Sequence, residues 1–204
     1  MAENTQLPDF NLNPHAPLLI VISGLSGAGK DTVVQRMKQR QIPFHFCVTA
    51  TSRAPREGET DGVDYHFYSK DEFERMIADG ELIEHAIVYE QYKGVPKKEV
   101  DEALASGEDV IVRVDYQGAA SIRELYPQAV LIFLMPENEN TWRRWLTDRK
   151  QDTQEQLEIR RKLALIEIQA AQTYFDYLVT NYDGDIDRAV DTVTCIIKAE
   201  HNKI

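Results

Sequence analysis

The sequence predicts an α/β fold in which a parallel sheet is covered by helices on both faces. Segments of strand character alternate with segments of helical periodicity along most of the 204 residues. Two segments, 18–22 and 129–134, are continuously apolar, as strands buried on both faces of a parallel sheet are. Between residues 49 and 95 short strands and charged turns break the alternation. We therefore expect a β-rich lobe inserted into a parallel-sheet core.

The individual elements follow from β-branched and aromatic runs bounded by turn residues, and from apolar residues spaced three and four apart. Predicted strands span residues 18–23, 44–50, 82–89, 109–115, 129–134 and 177–181. Predicted helices span residues 32–41, 70–78, 97–105, 118–125, 139–149, 153–171 and 186–199. Ser69 and Glu72 form a capping box, which places the start of the second helix.

The composition is that of a globular protein with a buried core, since 43% of the residues are hydrophobic. We expect a flexible polar tail over 1–17 and a single domain over 18–204. No segment approaches the roughly 20 apolar residues of a membrane span, and the N-terminus lacks a secretory signal pattern. Cys47 and Cys195 suggest no disulfide framework. We expect a cytoplasmic protein without membrane contacts; the sequence leaves monomer or homodimer open.

The distribution of charge bears on the class of ligand. The formal net charge of −11 argues against nucleic-acid binding, which depends on an excess of Lys and Arg. Seven basic residues nevertheless lie between positions 143 and 162. Small polyanionic substrates account for such local positive potential in an acidic chain. The alternative is a solvated helix face with mixed ion pairs four residues apart.

A glycine-rich loop lies between the first predicted strand and the first predicted helix. Its residues are Gly24, Leu25, Ser26, Gly27, Ala28, Gly29, Lys30, Asp31 and Thr32. The glycines let successive backbone N–H groups point into one hollow, and the following helix adds its positive N-terminal end. Lys30 supplies a mobile charge for the outer phosphates. The loop predicts binding of a nucleoside triphosphate; the alternative is a glycine-rich turn without a ligand.

The loop departs from its usual pattern at Asp31, where a serine or threonine hydroxyl normally holds magnesium. A carboxylate beside phosphates is repelled unless a cation lies between them. We therefore expect Asp31 to ligate Mg²⁺, directly or through water, or the hydroxyl of Thr32 to do so instead.

A second motif is the turn-rich segment 51–67, in which Arg53 and Arg56 are three residues apart. Pro55 and two glycines make this segment a loop. Two guanidinium groups held on a loop suit a phosphate, which each can bind through paired N–H groups. Paired arginines on loops are mostly solvated, but after a phosphate-binding loop they indicate a second phosphate site, for an acceptor.

The glycine loop, the segment 51–67, Glu84 and the segment 114–119 together resemble guanylate kinase, and the resemblance runs from about residue 18 to about residue 197. It implies transfer of the γ-phosphoryl group of ATP, with magnesium, onto GMP. It also implies a P-loop kinase core over 18–48, 96–138 and 172–204. A GMP-binding lobe over 49–95 and a helical lid over about 139–171 complete the implied architecture.

The resemblance assigns roles to individual positions. The implied catalytic residues are Lys30, Arg53, Arg149 and Arg160. The implied GMP-binding residues are Thr49, Arg53, Arg56, Tyr65, Glu84, Lys93 and Asp115. The role of Glu84 is chemically sound, because guanine presents adjacent N1–H and N2–H₂ donors that one carboxylate can accept. Without the resemblance, Glu84 would be interpreted as a surface charge at a strand edge.

The chain departs from the family pattern at further positions, among them Lys150 and Gln151, which replace the usual Gly-Thr after Arg149. Lys93 and Val95 stand where the family usually has the tyrosine and the hydroxyl residue of Tyr-Gly-Thr or Tyr-Gly-Ser. Lys93 can offer a charge to the phosphate, but Val95 cannot replace a hydroxyl that meets the base. Arg113 stands where an acid is common, and Trp145 where the lid often has an arginine. These departures bear on acceptor selectivity and turnover.

Two alternative interpretations come from different functional classes. One is a guanylate-kinase-like binding module that holds phosphorylated peptides without catalysis; the intact loop lysine and the arginines argue against it. The other is a kinase for another small phosphate ester, such as a ribose bisphosphate, which has no use for a base-reading Glu84. We interpret His45 and Cys47 as packing residues rather than metal ligands, since two further ligands are not evident.

Overall fold

The computed structural model describes residues 16–88, 91–148 and 154–203. The strands are β1 Leu19–Gly24, β2 His45–Phe46, β3 Ala50–Thr51, β4 His66–Phe67, β5 Leu82–Val88, β6 Gln91–Pro96, β7 Val110–Arg113, β8 Val130–Pro136 and β9 Tyr177–Asn181. The helices are α1 Lys30–Gln39, α2 Lys70–Ala78, α3 Lys97–Ala105, α4 Tyr116–Leu125, α5 Glu139–Asp148, α6 Gln154–Tyr174 and α7 Ile186–His201. No helix among these residues is both long enough and apolar enough to cross a bilayer.

The core is a five-stranded sheet in the order β2-β7-β1-β8-β9, and all of its strand pairs are parallel. The apolar β1 run is buried on both faces, because its alternate residues enter two different clusters. Ile20 and Ile22 pack with Val193 of α7, whereas Val21 packs with Ile122 of α4. The α/β fold class predicted from the sequence is confirmed.

The segment between β3 and β6 forms a second, four-stranded sheet in the order β4-β3-β6-β5. Strand β6 runs antiparallel to both of its neighbours, β3 and β5. Helix α4 of the core lies close against β5, since a side chain at Gly118 would come within 3.0 Å of the Glu84 carboxylate. Ile83 of β5 also joins the apolar cluster that contains Val112 and Ala119 of the core.

The predicted strand over 44–50 is wrong, because this run contributes to two different sheets. Its first part, β2, pairs with β7 of the core, whereas Ala50 begins β3 and pairs with β6. Between them, the Val48 N–H donates to the Glu99 carboxylate at 2.6 Å instead of to a strand. This hydrogen bond to a side chain lets the backbone pass from one sheet to the other.

Other predicted boundaries shift by a few residues or fall outside the described residues. Helix α1 begins at Lys30 rather than at residue 32, and α4 begins at Tyr116 because Asp115 caps it. Helix α6 continues to Tyr174, three residues beyond its predicted end. Most of the predicted tail, residues 1–15, and the end of the predicted strand over 82–89 lie outside the described residues.

The sheet order places the carboxyl ends of β7 and β8 on either side of β1. Parallel strands end at the same edge of a sheet, and ligands of such folds bind beyond that edge. The glycine-rich loop leaves β1 there, between Arg113 at the end of β7 and Leu134 near the end of β8. The edge therefore gathers the residues that the sequence predicts for phosphate binding.

Candidate active site

The glycine-rich loop has a backbone that requires glycine at its ends. Gly24 has a φ of 155°, and a Cβ atom there would lie 2.5 Å from the Leu134 carbonyl oxygen. Gly29 has a φ of 83°, and a Cβ atom there would lie 2.6 Å from the Asn181 amide nitrogen. Both the conformation and the close packing exclude larger residues, so β8 and β9 hold the loop tightly against the sheet.

Successive backbone N–H groups of the loop are available to an anion. Within the described residues, no acceptor bonds the backbone N–H groups of Gly27, Gly29, Lys30, Asp31 and Thr32. The last three lie in the first turn of α1, where the helix dipole is positive. An array of free donors at a helix N-terminus is the arrangement that binds phosphate.

The Lys30 ammonium lies against the inner side of this loop, where its Nζ donates to the Gly24 carbonyl at 2.7 Å. Burial lowers the pKa of Lys30, and the carboxylates of Glu167, Asp31 and Asp115 oppose this shift. The amine is thus a desolvated cation surrounded by acids, and it is poised to exchange a carbonyl oxygen for a phosphate oxygen.

Ser26, in the middle of the loop, is held through all three of its polar groups. Its backbone N–H donates to Glu167 Oε2 at 2.9 Å, and its carbonyl accepts from the indole N–H of Trp142 at 2.8 Å. Its hydroxyl accepts from Arg160 at 2.6 Å. Trp142 belongs to α5, and Arg160 and Glu167 belong to α6, so the two helices of the predicted lid segment contact the loop directly. Arg149, the other predicted lid residue, lies outside the described residues.

A cavity of about 270 Å³ opens between the loop and the second sheet. The sequence-predicted residues that line it are Lys30, Asp31, Thr49, Tyr65, Glu84, Lys93 and Asp115. Arg53 and Arg56 are not among its lining residues. The fold therefore brings five of the seven predicted acceptor residues together with two residues of the glycine loop.

Glu84 projects from β5 into this cavity and has no hydrogen-bond partner among the described residues. Burial, with a smaller contribution from Asp115, raises the pKa of Glu84 to about 7. Its register partner on β6 is Val95, which is fully buried in the apolar cluster beneath the sheet. Val95 therefore adds to the apolar surroundings of Glu84 and does not line the cavity. A desolvated carboxylate without a partner is suited to a ligand that presents N–H donors.

Asp115, predicted to contact the base or its surroundings, also has a structural task. Its Oδ1 accepts from the backbone N–H groups of Gln117 and Gly118, both at 2.9 Å, and so caps α4. The cap fixes this carboxylate in the wall of the cavity that Lys30 and Asp31 also line. Sequence reasoning placed Asp115 at the site but missed the cap.

The Arg53 guanidinium donates two hydrogen bonds, each of 2.6 Å, to the two carboxylate oxygens of Glu59 in the same loop. The Arg56 backbone N–H also donates to Glu59, at 2.7 Å, and these contacts lower the pKa of Glu59 to about 2. The Tyr65 ring lies 5.0 Å from the Arg53 guanidinium carbon. Sequence reasoning missed Glu59, although an acid six residues after Arg53 was visible. A phosphate that binds Arg53 has to share the guanidinium with Glu59.

Arg113 and Asp31, two departures from the family pattern, form an ion pair with each other. Arg113 ends β7, Asp31 lies in the first turn of α1, and both line the acceptor cavity. Arg113 thereby holds one oxygen of the carboxylate that the sequence proposes for magnesium. Sequence reasoning singled out both residues but not their contact.

A second cavity, of about 470 Å³, lies on the other side of the loop. It is lined by Thr32, Gly27, Gly29, Trp145, Asn181, Tyr182, Asp183, Gly184 and Ile186. Trp145 is fixed there by a hydrogen bond of 2.9 Å from its indole N–H to Asp183. Sequence reasoning missed Asn181, whose amide donates to the Ala28 carbonyl at 2.9 Å. Thr32 and Asp31 therefore face different cavities, although they are neighbours in sequence.

The model of the guanylate kinase family matches residues 17–200. The chain belongs to the guanylate kinase family. This membership confirms the resemblance inferred from the glycine loop, the segment 51–67, Glu84 and the segment 114–119. The matched range contains both sheets and the residues that line both cavities, so the whole site described above lies within it.

Individual relatives agree with this assignment. The chain is 45% identical over 192 residues to guanylate kinase 2, chloroplastic/mitochondrial, of Oryza sativa subsp. japonica, covering 94% of this chain and 67% of the relative. It is 40% identical to guanylate kinase of Carboxydothermus hydrogenoformans, covering 93% of this chain and 91% of the relative. The crystal structure of guanylate kinase from Anaplasma phagocytophilum matches with a TM-score of 0.71 and 29% identity, over 94% of this chain and 89% of that one.

Proposed function

We propose that this protein transfers the γ-phosphoryl group of ATP to GMP, giving ADP and GDP. The observation that carries the proposal is the partly buried Glu84 carboxylate, unpaired among the described residues, in the same cavity as Lys30 and Asp31 of the glycine loop. A carboxylate that can hydrogen-bond a base and a loop that can bind a triphosphate thus line the same cavity. In-line transfer between two nucleotides needs this proximity.

Glu84 is the proposed reader of guanine. In its ionised form it accepts the N1–H and the N2–H₂ of guanine together, which gives a partly desolvated acceptor two donors. Adenine presents a lone pair at N1 and leaves the carboxylate unsatisfied. A site built on such hydrogen bonds rejects a base that lacks the donors, because its own buried polar group stays unpaired. Thr49 and Asp115, on the wall of the same cavity, complete the polar surroundings of the base.

The acceptor phosphate is assigned to the side of the cavity nearest the glycine loop. Tyr65 and Lys93 line that cavity, and Lys93 offers a positive charge where the family has a tyrosine hydroxyl. Arg53 and Arg56 lie on the neighbouring loop, held in place by Glu59. We propose that they bind the acceptor phosphate from the rim, with Arg53 shared between Glu59 and the phosphate.

The donor triphosphate is assigned to the glycine loop. The unbonded N–H groups of Gly27, Gly29, Lys30, Asp31 and Thr32, together with the Lys30 ammonium, supply fixed positive potential without any reorganisation during the reaction. Phosphoryl transfer spreads charge over the moving group, so positioned cations carry most of the catalysis. Arg160 and Arg149 are proposed to contribute from the lid segment, which closes over both nucleotides.

Magnesium is the proposed cofactor, and Asp31 rather than Thr32 fits it. The Asp31 side chain is 72% exposed, offers hard oxygen ligands and lines the acceptor cavity on the side of the glycine loop. Arg113 binds Oδ1 and leaves the other oxygen for the metal or its bound water. When bound, Mg²⁺ neutralises the phosphate oxygens beside this carboxylate. A cytoplasmic location stays a prediction from the sequence, and Cys47 and Cys195 are both free thiols.

The test is ADP release from MgATP with GMP, dGMP, AMP, UMP or ribose 1,5-bisphosphate as acceptor. Turnover confined to GMP and dGMP is the expected result. Turnover with the ribose bisphosphate would support the alternative kinase. Binding of GMP without turnover on any acceptor would support the binding module instead. The matched control is Lys30→Ala, which is expected to abolish transfer while its circular dichroism spectrum stays that of the unaltered protein.

A further inference from the structure

The three contacts on Ser26 connect the glycine loop to parts of the chain that are far away in sequence. Trp142, Arg160 and Glu167 lie 116, 134 and 141 residues from Ser26. Trp142 and Glu167 are 6% and 8% exposed, so these contacts are made in a largely water-free interface. Hydrogen bonds in such surroundings are strong when complete and costly when one partner is removed.

Arg160 and Glu167 act from one rigid element. They are seven residues apart on α6, about two helical turns, so they lie on the same face of that helix. The two side chains bind the hydroxyl and the N–H of the same residue. Any shift of α6 along or around its axis therefore changes both contacts together.

The contacts on Ser26 orient two consecutive peptide groups of the loop. The Ser26 N–H belongs to the same planar unit as the Leu25 carbonyl, which points the opposite way and accepts from the Ala28 N–H at 2.9 Å. The same carbonyl lies 3.5 Å from Lys30 Nζ. Fixing the N–H through Glu167 thus fixes the carbonyl beside the Lys30 ammonium.

The next peptide group is fixed from the other side. Trp142 holds the Ser26 carbonyl, so the Gly27 N–H of the same planar unit points away from Trp142. Gly27 is the first of the residues whose N–H groups are free for an anion. The direction of the first phosphate-binding donor is therefore set by a side chain of α5.

We propose that Glu167 is a positioning residue for phosphoryl transfer, which orients the glycine loop and Lys30 for ATP by holding the Ser26 N–H from α6. The inference rests on the proposed function and adds a link between α6 and ATP binding. Glu167 touches neither nucleotide in this scheme. It acts through the Leu25–Ser26 peptide, and Trp142 does the same through the Ser26–Gly27 peptide. Because coupling of two sites is reciprocal, ATP binding in turn holds α6 against the loop.

The variants Glu167→Ala and Glu167→Gln test the proposal, with Glu158→Gln as the matched control on the exposed face of α6. Glu167→Ala removes the acceptor of the Ser26 N–H, and we expect KM for ATP to rise and kcat to fall by about tenfold each, since a buried donor that loses its acceptor is costly. KM for GMP should change less than about twofold, because Glu84, the proposed reader of the base, lies on β5 and is not held through the Ser26 contact. Glu167→Gln keeps an acceptor oxygen and should recover most of the loss, and Glu158→Gln should equal the unaltered protein.

A purely structural role predicts a different pattern. In that case Glu167→Ala lowers the melting temperature but leaves KM for ATP and kcat unchanged at temperatures where the variant is folded, and this result would overturn the proposal. Equal increases of KM for ATP and for GMP would also overturn it. If Glu167→Ala does not fold, Trp142→Phe decides, because it keeps the aromatic packing and removes only the donor to the Ser26 carbonyl. An unchanged KM for ATP in Trp142→Phe would then count against the proposal.

The outcome is separable from that of the proposed function. ATP affinity of each variant is measured by calorimetry in the absence of any acceptor. If the unaltered protein binds ATP but phosphorylates no acceptor, the proposed function fails, and weaker ATP binding by Glu167→Ala still supports the positioning role. Unchanged ATP binding in a folded Glu167→Ala rejects the positioning role whatever the acceptor proves to be.

Discussion

The Arg113 guanidinium pairs with the Asp31 carboxylate across 82 residues of sequence, and so joins the end of β7 to the first turn of α1. Each residue by itself conflicts with the family pattern, one as an acid beside phosphates and the other as a base where an acid is common. Together they are electrically compensated, and the pair lies on the wall of the cavity that we assign to GMP. The two departures are therefore best understood as one feature.

Substituting Arg113 alone should impair catalysis more than substituting Arg113 and Asp31 together. Arg113→Ala removes one of the cations that compensate Asp31 beside the phosphates, and we expect kcat/KM for GMP to fall about tenfold or more, since two like charges at 4 Å repel by about 1–4 kcal/mol near a protein surface. The double variant Asp31→Ser with Arg113→Ala supplies the hydroxyl that normally holds magnesium at this position, and it should recover to within about threefold of the unaltered protein. A double-mutant cycle in kcat/KM measures the coupling. Additive losses from the two substitutions would contradict the compensation.

Replacing Glu84 should remove the selectivity for guanine without affecting the binding of ATP. Glu84→Ala deletes the acceptor of both guanine donors, so kcat/KM for GMP is expected to fall about 100-fold or more while KM for ATP stays within about twofold. The measurement is kcat/KM for GMP and for AMP in parallel. Glu81→Ala, an exposed acid three residues earlier, is the matched control and should leave both values unchanged. A variant that still prefers GMP over AMP as strongly as before would refute the role of Glu84.

The pH dependence of GMP use follows from the same carboxylate. Burial raises the pKa of Glu84 to about 7, and only the ionised form accepts both guanine donors. We expect kcat/KM for GMP to fall as pH decreases below about 7, in a profile recorded at fixed saturating MgATP. Because the GMP phosphate also titrates in this range, Glu84→Gln serves as the reference. A profile for the unaltered protein that coincides in shape with that of Glu84→Gln would contradict the assignment.

The raised pKa also predicts the sign of a stability change. The folded protein binds the Glu84 proton more tightly than the unfolded chain, whose glutamate has its ordinary pKa of 4.5. The protonated form therefore favours folding, and this contribution to the free energy of unfolding is lost as pH rises from about 4.5 through about 7. Urea denaturation of the unaltered protein and of Glu84→Gln at both pH values measures it. As pH rises between the two values, the free energy of unfolding of the unaltered protein should fall relative to that of Glu84→Gln.

Glu99 should be important for stability rather than for chemistry. Its carboxylate lies 3.1 Å from His45 Nε2 of β2 and 2.8 Å from His66 Nε2 of β4, and it accepts the Val48 N–H. It thus joins α3 to both sheets at the point where the chain passes between them. Glu99→Ala is expected to lower the free energy of unfolding by about 2–3 kcal/mol, measured by urea denaturation, because it strands a partly buried N–H group. Glu102→Ala, on the exposed side of the same helix, should cost less than about 0.5 kcal/mol, and an equal cost in both variants would contradict the role of Glu99.

Local sequence patterns were sufficient for the phosphate loop and the core strands. Positive φ angles at Gly24 and Gly29 are available to glycine at little cost, so the residue type itself indicates the backbone conformation. The apolar run of β1 indicates burial on both faces for the same local reason. Patterns of this kind failed at residues 44–50, where a uniform β-prone run is divided between two sheets by one hydrogen bond from Val48 to Glu99.

By itself, the sequence determined the alternation of strands and helices, the anion-binding loop and the membership of the guanylate kinase family, because each is recognised from short segments of consecutive residues. Only the tertiary structure decided that Asp31 pairs with Arg113, that Ser26 is held by Trp142 and Glu167, and that Asp31 and Thr32 face different cavities. The physical reason is the sheet order β2-β7-β1-β8-β9, which places strand ends and helices distant in sequence around the loop that follows β1. Charge compensation and hydrogen bonding then act over a few ångströms of space, irrespective of separation along the chain.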